Sequence, residues 1–187
     1  MARPVRIDIR GGWYHVLARG FERRKIYRDA HDFTHFLELM AAMVERYRVQ
    51  VHAYVLMDNH YHLLIQTPHA NASRAIQWLN VSYSVWYNRR HQRCGPLFQG
   101  RFKSIPVQGD GAWAGEVSDY IHLNPVRIGE QGQGKRDRAL ARDGRGAEPT
   151  TAQAMAWRKT LREYRWSSYR AYAGYAVGPE WLTTEVL

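Results

Sequence analysis

The stretch VQVHAYVLMDNHYHLLIQ, residues 49–66, decides the fold of this chain. It contains two runs rich in strand-forming residues, 49–57 and 60–66, with Asp58 and Asn59 between them. Two residues of this kind between two such runs are typical of a tight β-hairpin. The sequence therefore predicts two neighbouring antiparallel strands joined at Asp58-Asn59.

Two further strands are predicted, one before this hairpin in the chain and one after it. Residues 13–19 (WYHVLAR) alternate and are rich in strand formers, and Gly20 ends the run. Residues 102–107 (FKSIPV) form a shorter candidate, in which Pro106 indicates an edge or an end because proline cannot donate to a strand ladder.

Two helices complete the pattern. Apolar residues recur at helical spacing in residues 32–47, with Asp29 or Asp32 as the cap, and again in residues 72–90. The order is thus strand, helix, strand, strand, helix, strand. This order predicts an α+β fold, the ferredoxin-like split βαβ arrangement with an antiparallel sheet.

The rest of the chain extends this core. A third helix from about residue 111 to residue 123 should lie on the sheet, and Pro125 predicts its end near Asn124. We expect a core at residues 1–128 and a flexible loop rich in glycine and charge at residues 129–150. Residues 151–187 should form a C-terminal helical arm packing on the core, with helix over about residues 152–170.

Charge indicates the class of partner. The 187 residues include 27 Lys and Arg against 17 Asp and Glu, a net charge of +10, which favours nucleic acid over an anionic membrane surface.

Cys94 is the single cysteine, so neither an internal disulfide nor a cysteine-based zinc cluster is expected. No apolar run approaches the roughly 20 residues of a membrane helix, and the N-terminus lacks a secretory signal. We expect a cytoplasmic, nucleoid-associated protein.

A histidine pair is the sharpest chemical feature. His60 and His62 are two residues apart on a predicted strand, so both imidazoles point to one face of the sheet while Tyr61 points to the other. Such a pair can ligate a metal, although two half-buried strand histidines would give the same pattern.

A tyrosine and an asparagine form the second feature. Tyr120 and Asn124 are four residues apart and share a face if this segment is helical. A tyrosine hydroxyl can attack phosphorus and form a covalent intermediate, and an asparagine oxygen suits a hard cation such as Mg²⁺ or Mn²⁺. Taken alone, Tyr120 also reads as a core aromatic.

These motifs together resemble a known family. His60-Tyr61-His62 after Met-Asp-Asn looks like the HUH motif, and the stretch YIHLNPVR at residues 120–127 looks like the nucleophile motif of REP-associated tyrosine transposases, a single-tyrosine HUH transposase family. Further matching stretches are GWYHVLARG at 12–20, GRFKS at 100–104 and RWSSY at 165–169. The resemblance spans residues 11–182.

The resemblance implies an activity and a set of site residues. Tyr120 would be the nucleophile, and a divalent metal, Mg²⁺ or Mn²⁺, would be held by His60, His62 and Asn124. The substrate would be single-stranded DNA with hairpins formed by palindromic repeats. It would be cleaved and rejoined through a 5′-phosphotyrosine by a monomer or a homodimer.

Basic residues outside these motifs are candidates for DNA contact. An N-terminal arm, the loop after the first strand, the segment around Phe102 and the end of the tyrosine motif supply them. They are Arg3, Arg6, Arg19, Arg23, Arg24, Lys25, Arg101, Lys103 and Arg127.

Two other histidines lie near the predicted site, and two other functions are compatible with parts of the sequence. His15 could lie behind the metal site, but a packed core histidine fits its strand better, and His122 should point away from Tyr120. The chain could instead be a non-catalytic, ferredoxin-like binder of structured single-stranded DNA or RNA. A replication or plasmid-transfer relaxase would usually carry a third histidine, so Asn124 speaks against it.

Overall fold

The computed structural model describes residues 8–108, 112–128 and 149–184. Within these ranges four strands form one antiparallel sheet in the order β2-β3-β1-β4. Their bounds are Gly12–Arg19 (β1), Gln50–Met57 (β2), His60–Thr67 (β3) and Lys103–Val107 (β4). All four strands were predicted, and the ferredoxin-like α+β fold is confirmed.

The helices follow the predicted order. The described helices are α1 (Ala30–Tyr47), α2 (Ala72–Arg90), α3 (Ala112–His122), α4 (Asn124–Ile128), α5 (Thr151–Glu163) and α6 (Tyr169–Tyr172), with a short 3-10 helix at Phe21–Arg23. Asp29 caps α1, because its side chain accepts from the backbone N–H groups of His31 and Asp32.

The central hairpin is fixed by the loop that follows β1. The backbone N–H of Gly20 donates to the carbonyl of Asn59 at 2.8 Å, and that of Ile26 donates to the carbonyl of Asp58 at 2.8 Å. Met57 and His60 are directly paired across the turn. The start of β3 is therefore held at one end of the sheet, beside the end of β1.

The sheet is covered on both faces. Helices α1 and α2 pack on one face, where Tyr61 is fully buried and its hydroxyl donates to Asn80 at 2.8 Å. Helix α3 packs on the other face, where Ile121 joins Val55 and Leu64 in a second apolar cluster. This two-sided cover explains why β2 and β3 are buried almost throughout rather than alternating.

The segment around Pro125 differs in detail from the prediction. Helix α3 ends at His122, Leu123 forms a turn, and the chain becomes helical again from Asn124. Pro125 lies in the first turn of α4, where its missing N–H is not needed for a helical hydrogen bond. The proline therefore starts a new helix instead of ending helical structure.

The helical stretch predicted over residues 152–170 is interrupted between Glu163 and Tyr169. Helix α5 ends at Glu163, and the chain then runs along the outer edge of β2. The N–H of Leu56 donates to the carbonyl of Trp166 at 2.8 Å, and the N–H of Ser168 donates to the carbonyl of Tyr54 at 3.0 Å. The open edge of β2 offers hydrogen bonds that a continued helix could not use. Most of the predicted loop, residues 129–148, lies outside the described residues.

None of the helices in the described ranges combines the length and the apolar character that a membrane span requires.

Candidate active site

The two motif histidines lie side by side on the α3 face of the sheet. His60 and His62 are each only 5% exposed, and their ring centroids are 5.2 Å apart with the rings nearly perpendicular. Their spacing on β3 brings them to one face, as predicted, while Tyr61 enters the opposite core. The pair therefore lies under α3 at the end of the sheet.

Each histidine has one ring nitrogen fixed by a neighbour. Nδ1 of His60 lies 2.7 Å from Oδ1 of Asn59, and Nδ1 of His62 lies 2.8 Å from Nε2 of His15. If each Nδ1 carries the proton, Asn59 and His15 accept it and Nε2 presents its lone pair. Fixing one imidazole nitrogen in this way is how proteins orient metal-binding histidines.

Burial keeps these imidazoles neutral. Desolvation lowers the pKa of His60 to about 4, helped by the positive charge of Arg19. Desolvation also lowers the pKa of His62 to about 3, with further contributions from His15, His60 and Arg19. Both rings are therefore in the neutral form at pH 7, the form that ligates metals.

Tyr120 lies directly against the histidines. Its ring meets that of His62 edge-on at 5.6 Å between centroids and that of His15 at 5.7 Å. The residue remains 40% exposed, so it is not the core aromatic that the sequence also allowed. The guanidinium of Arg127 lies over the Tyr120 ring, 5.0 Å from its centroid. A cation at this distance is attracted to the ring face.

Asn124 is hydrogen-bonded to the backbone of Tyr120. Its side chain is buried, and Nδ2 donates to the carbonyl of Tyr120 at 2.9 Å. Across the described ranges Oδ1 accepts no hydrogen bond, so this oxygen keeps both lone pairs for another partner. The four-residue spacing from Tyr120 survives as a direct contact even though the helix is interrupted between them.

The donor set fits a divalent cation only if an amide or an external oxygen completes it. In the described part of the chain no three His, Cys, Asp or Glu side chains converge on one point. Two oriented neutral imidazoles and one amide oxygen with unused lone pairs are compatible donors for Mn²⁺ or Mg²⁺. His60, His62 and Asn124 are thus the residues here that could hold such an ion.

Some of the predicted DNA-contact residues border this site. Arg19 ends β1 directly opposite His60. The following loop is tied to the hairpin turn, because Nδ2 of Asn59 donates to the carbonyl of Arg23 at 3.0 Å. In that loop Arg24 and Lys25 form exposed ion pairs with nearby carboxylates, and such pairs are weak enough to be exchanged for phosphate.

Other predicted contacts are placed differently. Arg101 and Lys103 are exposed, but Phe102 between them is only 7% exposed and belongs to the core. The Phe102 ring is therefore not available for stacking a base. Arg3 and Arg6 lie outside the described residues.

Sequence reasoning underestimated His15 and missed Asn59. His15 is the partner of His62 rather than a simple core residue, and the adjacency of the first and third strands was the signal for it. His122 does point away from Tyr120: it is buried, and its Nε2 lies 2.8 Å from Oγ of Ser168 in the arm.

The site therefore combines an antiparallel ferredoxin-like sheet with a neutral histidine pair that lies against an accessible tyrosine. The chain that carries it has a net charge of +10, which suits a nucleic-acid partner. The family model described as "Transposase IS200 like" matches residues 9–124, well over half of the chain. The chain therefore belongs to the IS200-like transposase family.

One solved structure agrees with this fold, and a second shows a weaker likeness. A structure of the REP-associated tyrosine transposase bound to a REP hairpin is similar over all of this chain and 94% of that one, with a TM-score of 0.65 at 14% identity. A crystal structure of a candidate transposase from Deinococcus radiodurans covers 71% of this chain and all of its own, with a TM-score of 0.45 at 14% identity. No curated protein matches the chain.

Proposed function

We propose that this transposase cleaves and rejoins single-stranded DNA beside a hairpin, with Tyr120 as nucleophile and a divalent metal held by His60, His62 and Asn124. The observation that carries the proposal is the contact between Tyr120 and His62, whose ring centroids are 5.6 Å apart. A phosphate placed beside the histidine pair would then lie within reach of the tyrosine hydroxyl.

The residues divide the work of a phosphoryl transfer. The Tyr120 oxygen attacks phosphorus and loses its proton, the bond from phosphorus to the 3′-oxygen breaks, and that oxygen leaves as a 3′-hydroxyl. The DNA 5′ end remains on Tyr120 as a phosphotyrosine until a 3′-hydroxyl attacks it and restores the strand. Arg127 and Arg19 place positive charge beside the tyrosine and the histidine pair, where negative charge develops.

The divalent metal, when bound, supplies Lewis-acid polarisation of the scissile phosphate. The protein's part is to orient the donors. Asn59 and His15 hold Nδ1 of the two histidines, while Asn124 is held by the Tyr120 carbonyl. His15 is therefore a positioning residue that acts through His62.

The cover of the sheet argues against a simple binding module. Domains that bind RNA on a ferredoxin-like sheet stack bases on aromatics of an open face. Here the face with the histidines packs against α3, and the opposite face packs against α1 and α2. Among the described residues, this packing leaves the end of the sheet near the exposed Tyr120 open to nucleic acid.

We propose that the arm at residues 151–187 works with the core at residues 1–128 as one unit, connected by the loop at residues 129–150. The hydrogen bonds between Ser168 and Tyr54 and between His122 and Ser168 support this. The proposal also predicts DNA contact by basic residues outside the site, namely Arg3, Arg6, Arg23, Arg24, Lys25, Arg101 and Lys103. It further predicts a cytoplasmic, nucleoid-associated protein that acts as a monomer or a homodimer.

The test is covalent capture of DNA. An end-labelled hairpin with single-stranded flanks, taken from palindromic repeats near the gene, is incubated with Mn²⁺ and resolved on a denaturing gel. We expect a shortened strand and a protein-linked band for wild type and neither for Tyr120→Phe. Tyr47→Phe is the matched control, because it removes a hydroxyl from a partly exposed tyrosine of α1 on the other side of the sheet.

The outcomes separate the two functions. Adduct formation by Tyr120→Phe, or by a variant lacking both His60 and His62, would overturn the proposed mechanism. Equal hairpin binding by wild type and Tyr120→Phe with no adduct from either, across several repeat sequences, would favour the binding module.

A further inference from the structure

The C-terminal arm carries a second group of basic residues, separate from those predicted above to contact DNA. We call it the arm cluster: Arg158, Lys159, Arg162, Arg165 and Arg170. All but Arg170 are exposed. Across the ranges that the structure describes, none of the five forms an ion pair with a carboxylate. Cations gathered on one part of the arm without carboxylate partners suggest an anionic ligand.

The arm cluster surrounds a concave surface. A cavity of about 570 Å³ is lined by Arg162, Arg165 and Arg170 together with Glu163, Gly174 and Tyr175. A neighbouring cavity of about 380 Å³ shares Arg162, Glu163 and Tyr175 and adds Arg158 and Lys159. Five positive charges against the single carboxylate of Glu163 leave a formal charge of +4 around these two cavities.

Two details indicate that the surface is built for a ligand. The guanidinium of Arg162 lies 5.3 Å from the centroid of the Tyr175 ring, which fixes the charge beside a tyrosine that is 45% exposed. Nε of Arg170 is buried and, in the described part of the chain, has no hydrogen-bond partner. An unsatisfied buried donor is costly, and an acceptor brought by a ligand would remove that cost.

The helix that carries part of the arm cluster contacts the helix that carries Arg127. Helix α5 packs against α4, and Arg127 of α4 covers the ring of Tyr120. Packed helix axes are roughly 8–10 Å apart, about three steps of 3.4 Å along one strand of a DNA duplex. DNA held at Tyr120 would therefore reach the arm within a few nucleotides.

We infer that the arm cluster binds the phosphate backbone of the same DNA that Tyr120 cleaves, a few nucleotides from the cleavage site. This inference rests on the proposed function. Exposed arginine and lysine side chains spaced along one face of a helix suit a row of phosphates, and the exposed ring of Tyr175 offers a surface for an unpaired base. The bound backbone belongs either to the hairpin stem or to its single-stranded flank.

The experiment measures how DNA binding depends on salt. The variant replaces Arg158, Lys159 and Arg162 with alanine in the full chain, which preserves helix propensity at exposed positions. Each phosphate contact contributes about 0.9 to the slope of log affinity against log salt concentration. On a duplex stem, losing three contacts should lower the slope by about 2.7, so the affinity lost between 50 and 200 mM salt shrinks by about 40-fold relative to wild type. On an unpaired strand each contact contributes about 0.7, so the slope falls by about 2.1 and the affinity loss shrinks by about 20-fold.

A matched control removes the same charge elsewhere. The control is one triple variant in which Arg46, Arg74 and Arg89 are replaced with alanine. These residues are exposed on α1 and α2, on the other side of the sheet. We expect this variant to keep the wild-type slope. Affinities are measured by fluorescence anisotropy with two probes, a hairpin without flanks and an unpaired strand of equal length.

The two probes decide the result. A reduced slope for the arm variant on the hairpin assigns the arm cluster to the stem, and a reduction confined to the unpaired strand assigns it to the flank. A slope equal to wild type on both probes, or an equal reduction in the control variant, overturns the inference. Wild-type adduct formation is followed in parallel, so failure of the arm cluster is distinguishable from failure of the proposed function.

Discussion

Replacing His15 tests whether the candidate metal site is built as its geometry indicates. His15 contributes Nε2, 2.8 Å from Nδ1 of His62, and lies outside the proposed ligand set. His15→Ala removes this partner, so the His62 ring is free to turn and to change the nitrogen that carries its proton. His15→Gln is the conservative variant, since its amide oxygen is three bonds from Cβ, as Nε2 is in histidine.

The expected effect follows from the role of such partners. Loss of the residue that orients a metal-binding histidine lowers metal affinity about 10- to 100-fold, or about 1.4–2.7 kcal/mol. His62 is only 5% exposed, so water replaces the lost partner poorly. We expect His15→Ala to fall within this range and His15→Gln to recover most of the affinity.

The assay is Mn²⁺ titration followed by the electron paramagnetic resonance signal of the free ion, without DNA. Thermal unfolding of each variant verifies that the fold is retained, and His35→Ala on α1 controls for unspecific loss of an imidazole. Wild-type affinity in His15→Ala, together with lost affinity in His62→Ala, would refute the positioning role. Wild-type affinity in both variants would refute the histidine metal site itself.

Two further predictions concern a cation and a buried histidine. Arg127→Gln removes the charge over the ring of Tyr120. A cation–π contact of about 0.5–2 kcal/mol corresponds to adduct formation that is roughly 2- to 30-fold slower in single turnover, and Arg127→Lys should be faster than Arg127→Gln. Equal rates for Arg127→Gln and wild type would contradict this. His52 is fully buried, and desolvation lowers its pKa from 6.5 to about 4. The unfolded chain therefore takes up a proton first as the pH falls below 6.5, and stability is lost between pH 6.5 and 4. The free energy of unfolding is measured in urea at pH 7 and at pH 5. From pH 7 to pH 5 it should decrease by about 2 kcal/mol less in His52→Phe than in wild type. An equal decrease in both proteins would contradict the prediction.

The parts of the fold that local sequence encodes were predictable. The hairpin at Asp58-Asn59 and helix α2 depend on neighbours in the chain, and both were found where the pattern placed them. The end of α5 was not predictable, because residues 164–168 leave helical structure to bond with β2, more than a hundred positions earlier. The family resemblance also came from local motifs, and the match to residues 9–124 confirms the family.

The sequence by itself determined that His60 and His62 share a face, since side chains alternate along any strand. It also determined that Tyr61 enters the core and that the chain carries a large positive charge. Only the tertiary structure decided that His15 reaches His62 and that Tyr120 lies beside both. Strand register and the placement of α3 set these contacts, and both depend on how whole apolar faces pack together, which no local pattern records.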